Sequence, residues 1–154
     1  AYPAPKPRKA IPHYDVAAAV TLRGPRVAEA LEVLVAQRLP NAMLGGLWEF
    51  PGGKRHQEET LPEALQRELE EEMGVTIEVG APLTVVKHAY THFRITLHAF
   101  ICRLLEGEPR CIECQDFQWA DLVKIQALPM PVTDRKIARA LTAWLADNGE
   151  TASL

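Results

Sequence analysis

Cysteine is scarce, with three in 154 residues, an odd number that cannot complete a disulfide framework. Aromatic residues make up only 6%, against 47% hydrophobic and 24% charged. That balance is ordinary for a soluble globular protein and excludes disordered and fibrous classes. No apolar run approaches the roughly 18 residues a membrane span needs. No basic stretch followed by an apolar one opens the chain, so the expected setting is the reducing cytoplasm. There is no internal repeat. At this length two separate cores would each be marginal, so one domain is expected.

The formal net charge is only −3, but it is unevenly placed. Residues 58–72 hold seven acids (Glu58, Glu59, Glu63, Glu68, Glu70, Glu71, Glu72) against one base, Arg67, a local charge of −6. The remainder therefore sums to +3. Such crowding costs repulsion, which is offset either by a solvated face or by a bound cation.

Residues 1–12, with four prolines plus Lys6, Arg8 and Lys9, read as a semi-extended basic linker and solvated tether. Residues 13–154 form the expected domain. Strands are expected at Tyr14–Leu22, Glu32–Gln37, Leu47–Pro51, Val75–Val79, Leu83–Ala89, Phe93–Leu104 and Phe117–Trp119, with residues 27–31 either a short helix or part of a hairpin. A helix is expected over Leu61–Met73. Thr60 and Glu63 make a capping box, Pro62 falls in the first turn and Gly74 suits C′. Thr133 is expected to cap a final helix carrying Ile137, Leu141, Trp144 and Leu145. Strands with one central and one terminal helix argue for an α/β mixed sheet packed between helices.

On the central helix, a rotation of about 100° per residue gathers Glu68, Glu71 and Glu72 on one side, next to an apolar stripe of Leu65, Leu69 and Met73. Oxygen ligands at that density suit Mg²⁺ or Mn²⁺ and not zinc. Gly52 and Gly53 allow a bare backbone to approach the same ions, and Arg67 lies one turn from Glu63 and Glu71.

Gly53, Glu59, Arg67, Glu68, Leu69, Glu71, Glu72, Gly74 and Val75 reproduce the 23-residue pattern G-x5-E-x7-R-E-U-x-E-E-x-G-U, where U is aliphatic. On these residues the chain resembles the Nudix hydrolases, and the Leu-Trp-Glu-Phe-Pro-Gly-Gly segment 47–53 resembles their MutT branch. That segment, with Ile11–Val16 and His88–Phe93, is also similar to the C-terminal domain of MutY-type adenine glycosylases, which reads 8-oxoguanine in DNA. The resemblance spans nearly the whole chain, and the box is intact where glycosylase domains generally carry a degraded one.

The resemblance implies an α/β/α Nudix sandwich hydrolysing a nucleoside triphosphate, with oxidised dGTP favoured, to monophosphate and pyrophosphate. The alternative is an 8-oxoguanine reader with damaged DNA as partner. It implies metal ligation by Glu68, Glu71 and Glu72 with the Gly52 carbonyl and Glu113, and activation of water by Glu68. Arg38 would contact phosphate, and Tyr90, Thr91 and His92 would lie toward the base. Thr133 or Asp134 would read the base edge, where MutT has asparagine. Outside this set, Cys111 and Cys114 lack the second pair a zinc site needs and read as buried or incidental thiols. His88, His92 and His98 share one face if their strand is continuous. Trp48, Trp119 and Trp144 read as core.

Overall fold

The computed structural model describes residues 10–149. Most of the proline-rich lead-in, residues 1–9 with Lys6, Arg8 and Lys9, lies outside the described residues, as do residues 150–154. The described chain runs β1 (His13–Arg23), β2 (Glu32–Gln37), β3 (Trp48–Glu49), β4 (Gly52–Lys54), α1 (Leu61–Met73), β5 (Thr76–Ala89), β6 (Arg94–Glu106), β7 (Asp116–Asp121), α2 (Leu122–Ala127) and α3 (Val132–Asn148). These strands form one mixed sheet whose main path is β3-β2-β1-β6-β5, with β4 paired to β1 and β7 to β2. The β1–β6 pair is parallel, with Ala17 opposite His98; the other pairs are antiparallel.

Alternation along β1 divides the core in two. Ala17 and Ala19 face α1, where Leu65, Leu69 and Met73 pack with Leu34, Phe100 and Cys102. Ala18 and Val20 face α3, where Ile137, Leu141 and Leu145 pack with Val33, Val35 and Phe50. The short alanine side chains let both helices lie close to the central strands.

Helix α1 begins as its sequence dictates. The Thr60 side chain accepts from Glu63 N, and the Glu63 side chain accepts in return from Thr60 N. It ends at Gly74, whose φ of 67° is left-handed and which donates to Glu70 O. The 107–113 loop then returns to the same helix end. Arg110 N donates to Met73 O, and Ile112 N and Glu113 N both donate to Glu72 O, which satisfies carbonyls the helix leaves open.

Several expectations are corrected. The two strands expected at 75–79 and 83–89 are a single strand, β5, whose register shifts around Gly80 and Pro82; it lies on the sheet edge, where a proline costs no ladder bond. Residues 27–31 make one tight turn that buries Leu31. A short helix, α2, was not expected; Asp121 caps it by accepting from Lys124 N. Thr133 does not cap α3. The helix starts after Pro131, which has a fixed φ and no N–H to satisfy, and Thr133 lies buried within the first turn. The chain turns between Ala89 and Arg94, so no single strand carries all three histidines. Register places His88 opposite Ile95 and Val85 opposite His98, so His88 and His98 face opposite sides of the sheet. Cys111 and Cys114 are joined by a disulfide with Cα atoms 4.9 Å apart, because the loop bends both side chains to one side. Trp48 is core, whereas Trp119 and Trp144 sit at its margin under Arg23 and Arg26. Among the described residues no helix is long and apolar enough to cross a membrane.

Leu69 is fully buried between α1 and the sheet. Leu69→Ala is expected to cost about 2–5 kcal/mol in urea unfolding, whereas Glu70→Ala on the exposed face stays within about 0.5 kcal/mol.

Candidate active site

The β4–α1 junction delivers the acidic helix to the sheet. Gly53 stands directly against the Glu68 carboxylate, and a Cβ there would run into it. Gly52 is pressed against the backbone of Ala17 just as tightly. Side chains at either position would push β4 off β1 or displace Glu68.

Arg67 organises the acids. Its Nε donates to Glu59 Oε2 at 2.7 Å and its Nη2 to Glu59 Oε1 at 2.9 Å, a two-pronged pair. Nη1 donates to Glu68 at 2.9 Å and Glu71 at 3.2 Å, and Nη2 also donates to Lys54 O at 3.0 Å. The Arg67 bonds, followed by a bond from His56 N, hold the Glu59 carboxyl down at about 2. Glu59 and the neighbouring carboxylates in turn raise the Arg67 guanidinium above its usual range.

Glu72 experiences the opposite environment. Burial pushes it up to about 9, helped by the charges of Glu49, Glu68 and Glu113 and by a hydrogen bond with Glu68. Four carboxyl groups from β3, α1 and the 107–113 loop therefore converge. They do not close into a shell: among the described residues no three such groups stand in metal-holding geometry. Glu71 is half exposed at the rim, and Glu113 is exposed on its loop.

Beside the acids opens a cleft of about 390 Å³. Glu49, Gly52, Gly53 and Arg38 line one part of it, and Tyr90, Phe93, Ile95, Leu97, Thr133 and Asp134 another. Arg38 is already engaged, with Nη1 donating to Glu49 at 2.9 Å and Nε to Met43 O at 2.6 Å. Asp134 is 6% exposed; its carboxylate accepts from Phe50 N and from Thr133 Oγ1, each at 3.0 Å. Burial nevertheless pushes Asp134 up to about 7. Tyr90 packs between His88 and Phe93, with ring centroids 4.6 and 4.8 Å away. Thr91 and His92 are exposed at the turn and do not line the cleft.

The structure thus places Gly52, Gly53, Arg38, Tyr90, Thr133 and Asp134 on the cleft wall, and gathers Glu59, Glu68 and Glu71 on Arg67 behind Gly53. Glu49 was missed as a site residue. Its signal was a lone carboxylate between Trp48 and Phe50 in an otherwise apolar strand; burial raises it while Arg38 pulls it back. Met43, Leu44 and Lys54, which also line the cleft, carried no such signal.

An α/β/α sandwich with this acidic helix along the cleft is the Nudix architecture. A NUDIX domain model matches residues 27–140, and the chain belongs to that family. It is 31% identical over 110 residues to the 8-oxo-dGTP diphosphatase of Escherichia coli K12, covering 71% of this chain and 85% of that protein. It is 32% identical over 126 residues to a putative 8-oxo-dGTP diphosphatase 2 of Mycobacterium tuberculosis, covering 81% of this chain and 84% of the relative. It is also 31% identical over 115 residues to the CTP pyrophosphohydrolase of Escherichia coli K12, covering 75% and 85%. The solution structure of the E. coli ORF135 protein superposes with a TM-score of 0.76 at 28% identity, over 92% of this chain and 97% of that one. The MutT protein of Methanosarcina mazei Go1 gives 0.74 at 24%, over 86% and 95%. The protein is a Nudix hydrolase, of the pyrophosphohydrolase kind.

The raised Glu72 predicts a pH effect on stability. Its proton is kept in the folded state up to about pH 9 but lost from the unfolded chain near the usual 4.5. The folded state therefore binds more protons across that window, and stability declines as pH rises through it. In EDTA, melting of the wild type is expected to fall from pH 5 to 9 more steeply than that of Glu72→Gln. By pH 8 the variant should melt higher, each 1 kcal/mol being worth about 2–4 °C at this size.

Proposed function

We propose that the protein is a Mg²⁺-dependent nucleoside triphosphate pyrophosphohydrolase, with 8-oxo-dGTP as the favoured substrate, acting on the cytoplasmic nucleotide pool. The observation that carries this reading is the Arg67 fork, which joins Glu59 to Glu68 and Glu71 of α1, with Glu68 against Gly53 at the wall of a cleft whose other part is apolar. The names of the relatives support oxidised dGTP. The single domain of residues 13–154 is part of the same proposal.

The donor set fits a hard divalent cation. Every candidate ligand is oxygen: the carboxylates of Glu68, Glu71, Glu72 and Glu113 and the carbonyl of Gly52. Mn²⁺ meets the same demand. When bound, such ions neutralise phosphate charge and activate water. The protein's own contribution is positional. Arg67 holds Glu68 and Glu71 in their rotamers, and Glu68 orients the attacking water and takes its proton. Arg38 reaches from the cleft wall toward a phosphate oxygen, exchanging its bond with Glu49 for the substrate's charge. Tyr90 offers an aromatic face to the base, and Thr133 and Asp134 meet its polar edge. Thr91 and His92 stay on the exposed turn, outside the cleft wall.

A screen of nucleoside triphosphates with Mg²⁺, reading pyrophosphate release, tests the assignment. Turnover of 8-oxo-dGTP is expected to exceed that of dGTP and CTP. Glu71→Gln and Glu72→Gln are expected to lower kcat by at least about 100-fold with the fold intact. In ¹⁸O-labelled water the label is expected in pyrophosphate, reporting attack at the β-phosphorus. Selective binding of 8-oxoguanine duplex DNA without any triphosphate hydrolysis would instead establish the lesion reader. Wild-type rates in Glu71→Gln would remove the metal-site assignment.

Tyr90→Ala is expected to raise KM by roughly 5- to 150-fold, the equivalent of the 1–3 kcal/mol of a lost stacking contact. Because Tyr90 also packs on His88 and Phe93, the unfolding midpoint is expected to fall as well, while the Mg²⁺ concentration needed for half-maximal rate stays near that of the wild type.

A further inference from the structure

We infer that Arg55, held by Asp15 and His98, is a positioning residue for the acidic helix and acts through Glu59 and Arg67. This rests on the reading above that the α1 carboxylates hold the cation.

The three residues lie outside the 23-residue box or at its unspecified positions, yet they join it to the centre of the sheet. Asp15 and His98 occupy the parallel pair β1–β6, two positions apart in register, on the face that carries α1. His98 Nε2 lies 3.1 Å from Asp15 Oδ1. Asp15 Oδ2 accepts from Arg55 Nη2 at 3.3 Å, and Arg55 N donates to the Asp15 carbonyl at 2.9 Å. Arg55 follows β4 directly, so its backbone is tied to β1 on one side.

The guanidinium then turns toward the β4–α1 connection. Nη1 donates to Glu59 O at 3.1 Å and to Gln57 O at 3.5 Å. Residues 56–59 are thus wound around a single arginine head, closed by His56 N donating to the Glu59 side chain at 2.9 Å. That turn aims the Glu59 carboxylate at Arg67, and Arg67 distributes its remaining donors between Glu68 and Glu71. A path of charge-assisted bonds therefore runs from strand β6 to the helix carboxylates.

Energetics favour a geometric role over a stabilising one. The Arg55 and Asp15 side chains are 32% and 30% exposed, so solvent screens the pair and its contribution to folding is small. What the pair supplies is direction. A turn with one side-chain anchor has several conformers of similar energy, and a planar five-donor head bonded to two carbonyls and a carboxylate selects one. The His98 bond, the largest influence on Asp15, lowers that carboxyl below its usual range and orients it for Arg55.

The test couples a spectroscopic readout to a mutant cycle. The Arg67 Nε–H cross-peak in a ¹H–¹⁵N spectrum, recorded without metal or nucleotide, is expected to shift or broaden in Arg55→Ala and in Asp15→Asn. With whichever triphosphate the wild type hydrolyses, Arg55→Ala is expected to lower kcat about 10- to 100-fold while KM changes less than about 2-fold. Arg55→Lys is expected not to restore it, because an ammonium lacks the planar fork. In a Glu59→Gln background, Arg55→Ala is expected to add little further loss, since both act through one carboxylate. Should Arg55→Ala fail to fold, Asp15→Asn, which keeps shape and one acceptor, carries the same comparison. Multiplicative losses in the cycle, or an unmoved Arg67 peak with wild-type kcat, would overturn the proposal. A chain that hydrolyses no triphosphate removes the reading on which it rests, and the Arg67 peak then decides the relay by itself.

Discussion

The fork between Arg67 and Glu59 is the interaction on which the functional end of this molecule depends. Helix α1 carries more negative charge on one side than an isolated helix would tolerate, with like charges one turn apart. Arg67 is the base within that run, and it spends two donors on Glu59 and one nitrogen on Glu68 and Glu71 together. Without a fixed Glu59 the guanidinium would be free to collapse onto the helix acids. With it, the arginine keeps one nitrogen on Glu68 and Glu71 and its remaining side-chain donors on Glu59 and the Lys54 carbonyl. The depressed Glu59 and elevated Glu72 are two results of one arrangement: Glu59 receives the guanidinium's donors and Glu72 is left half-buried beside other carboxylates.

The glycines at either end of the box follow from the same constraint. Gly53 is small because the Glu68 carboxylate occupies the space a side chain would need. Gly74 adopts a left-handed φ so that the chain can leave the helix and the 107–113 loop can return to its open carbonyls. That return brings Glu113 toward Glu72. A pattern that looks in sequence like a catalytic signature is therefore equally a set of steric conditions, and the chemistry and the packing cannot be varied separately.

Local physics explains what could be read directly from the residues. The Thr60 box, the Leu65–Leu69–Met73 stripe and Gly74 each act within one or two helical turns, and α1 runs from Leu61 to Met73 as they dictate. What escaped reading is decided over distance. The β5 strand continues through Pro82 because it has a neighbour on one side only, which no local pattern reveals. The start of α3 is set by Pro131 and by the Asp134 carboxylate reaching 84 positions back to Phe50 N. Cys111 and Cys114 meet because of a loop bend, and Glu49 joins the acids because β3 pairs with β2 next to the helix. Sequence spacing located the helix carboxylates, while the cleft beside Gly53 needed the sheet.

The family relationships divide the same way. At the same 31% identity this chain resembles both an 8-oxo-dGTP diphosphatase and a CTP pyrophosphohydrolase of one bacterium. Two relatives with different bases can be equally similar only if most shared residues serve the fold and the phosphate chemistry. Among the side chains that line the cleft, Asp134 is distinctive. It is buried, already accepts two hydrogen bonds, and is raised to about 7 by its surroundings. A carboxyl group in that state can present either an acceptor or a donor near neutral pH. An amide at the same place has its donor and acceptor fixed. Replacing one by the other changes what the cleft wall can donate or accept while leaving the acidic helix, its arginine and its glycines untouched.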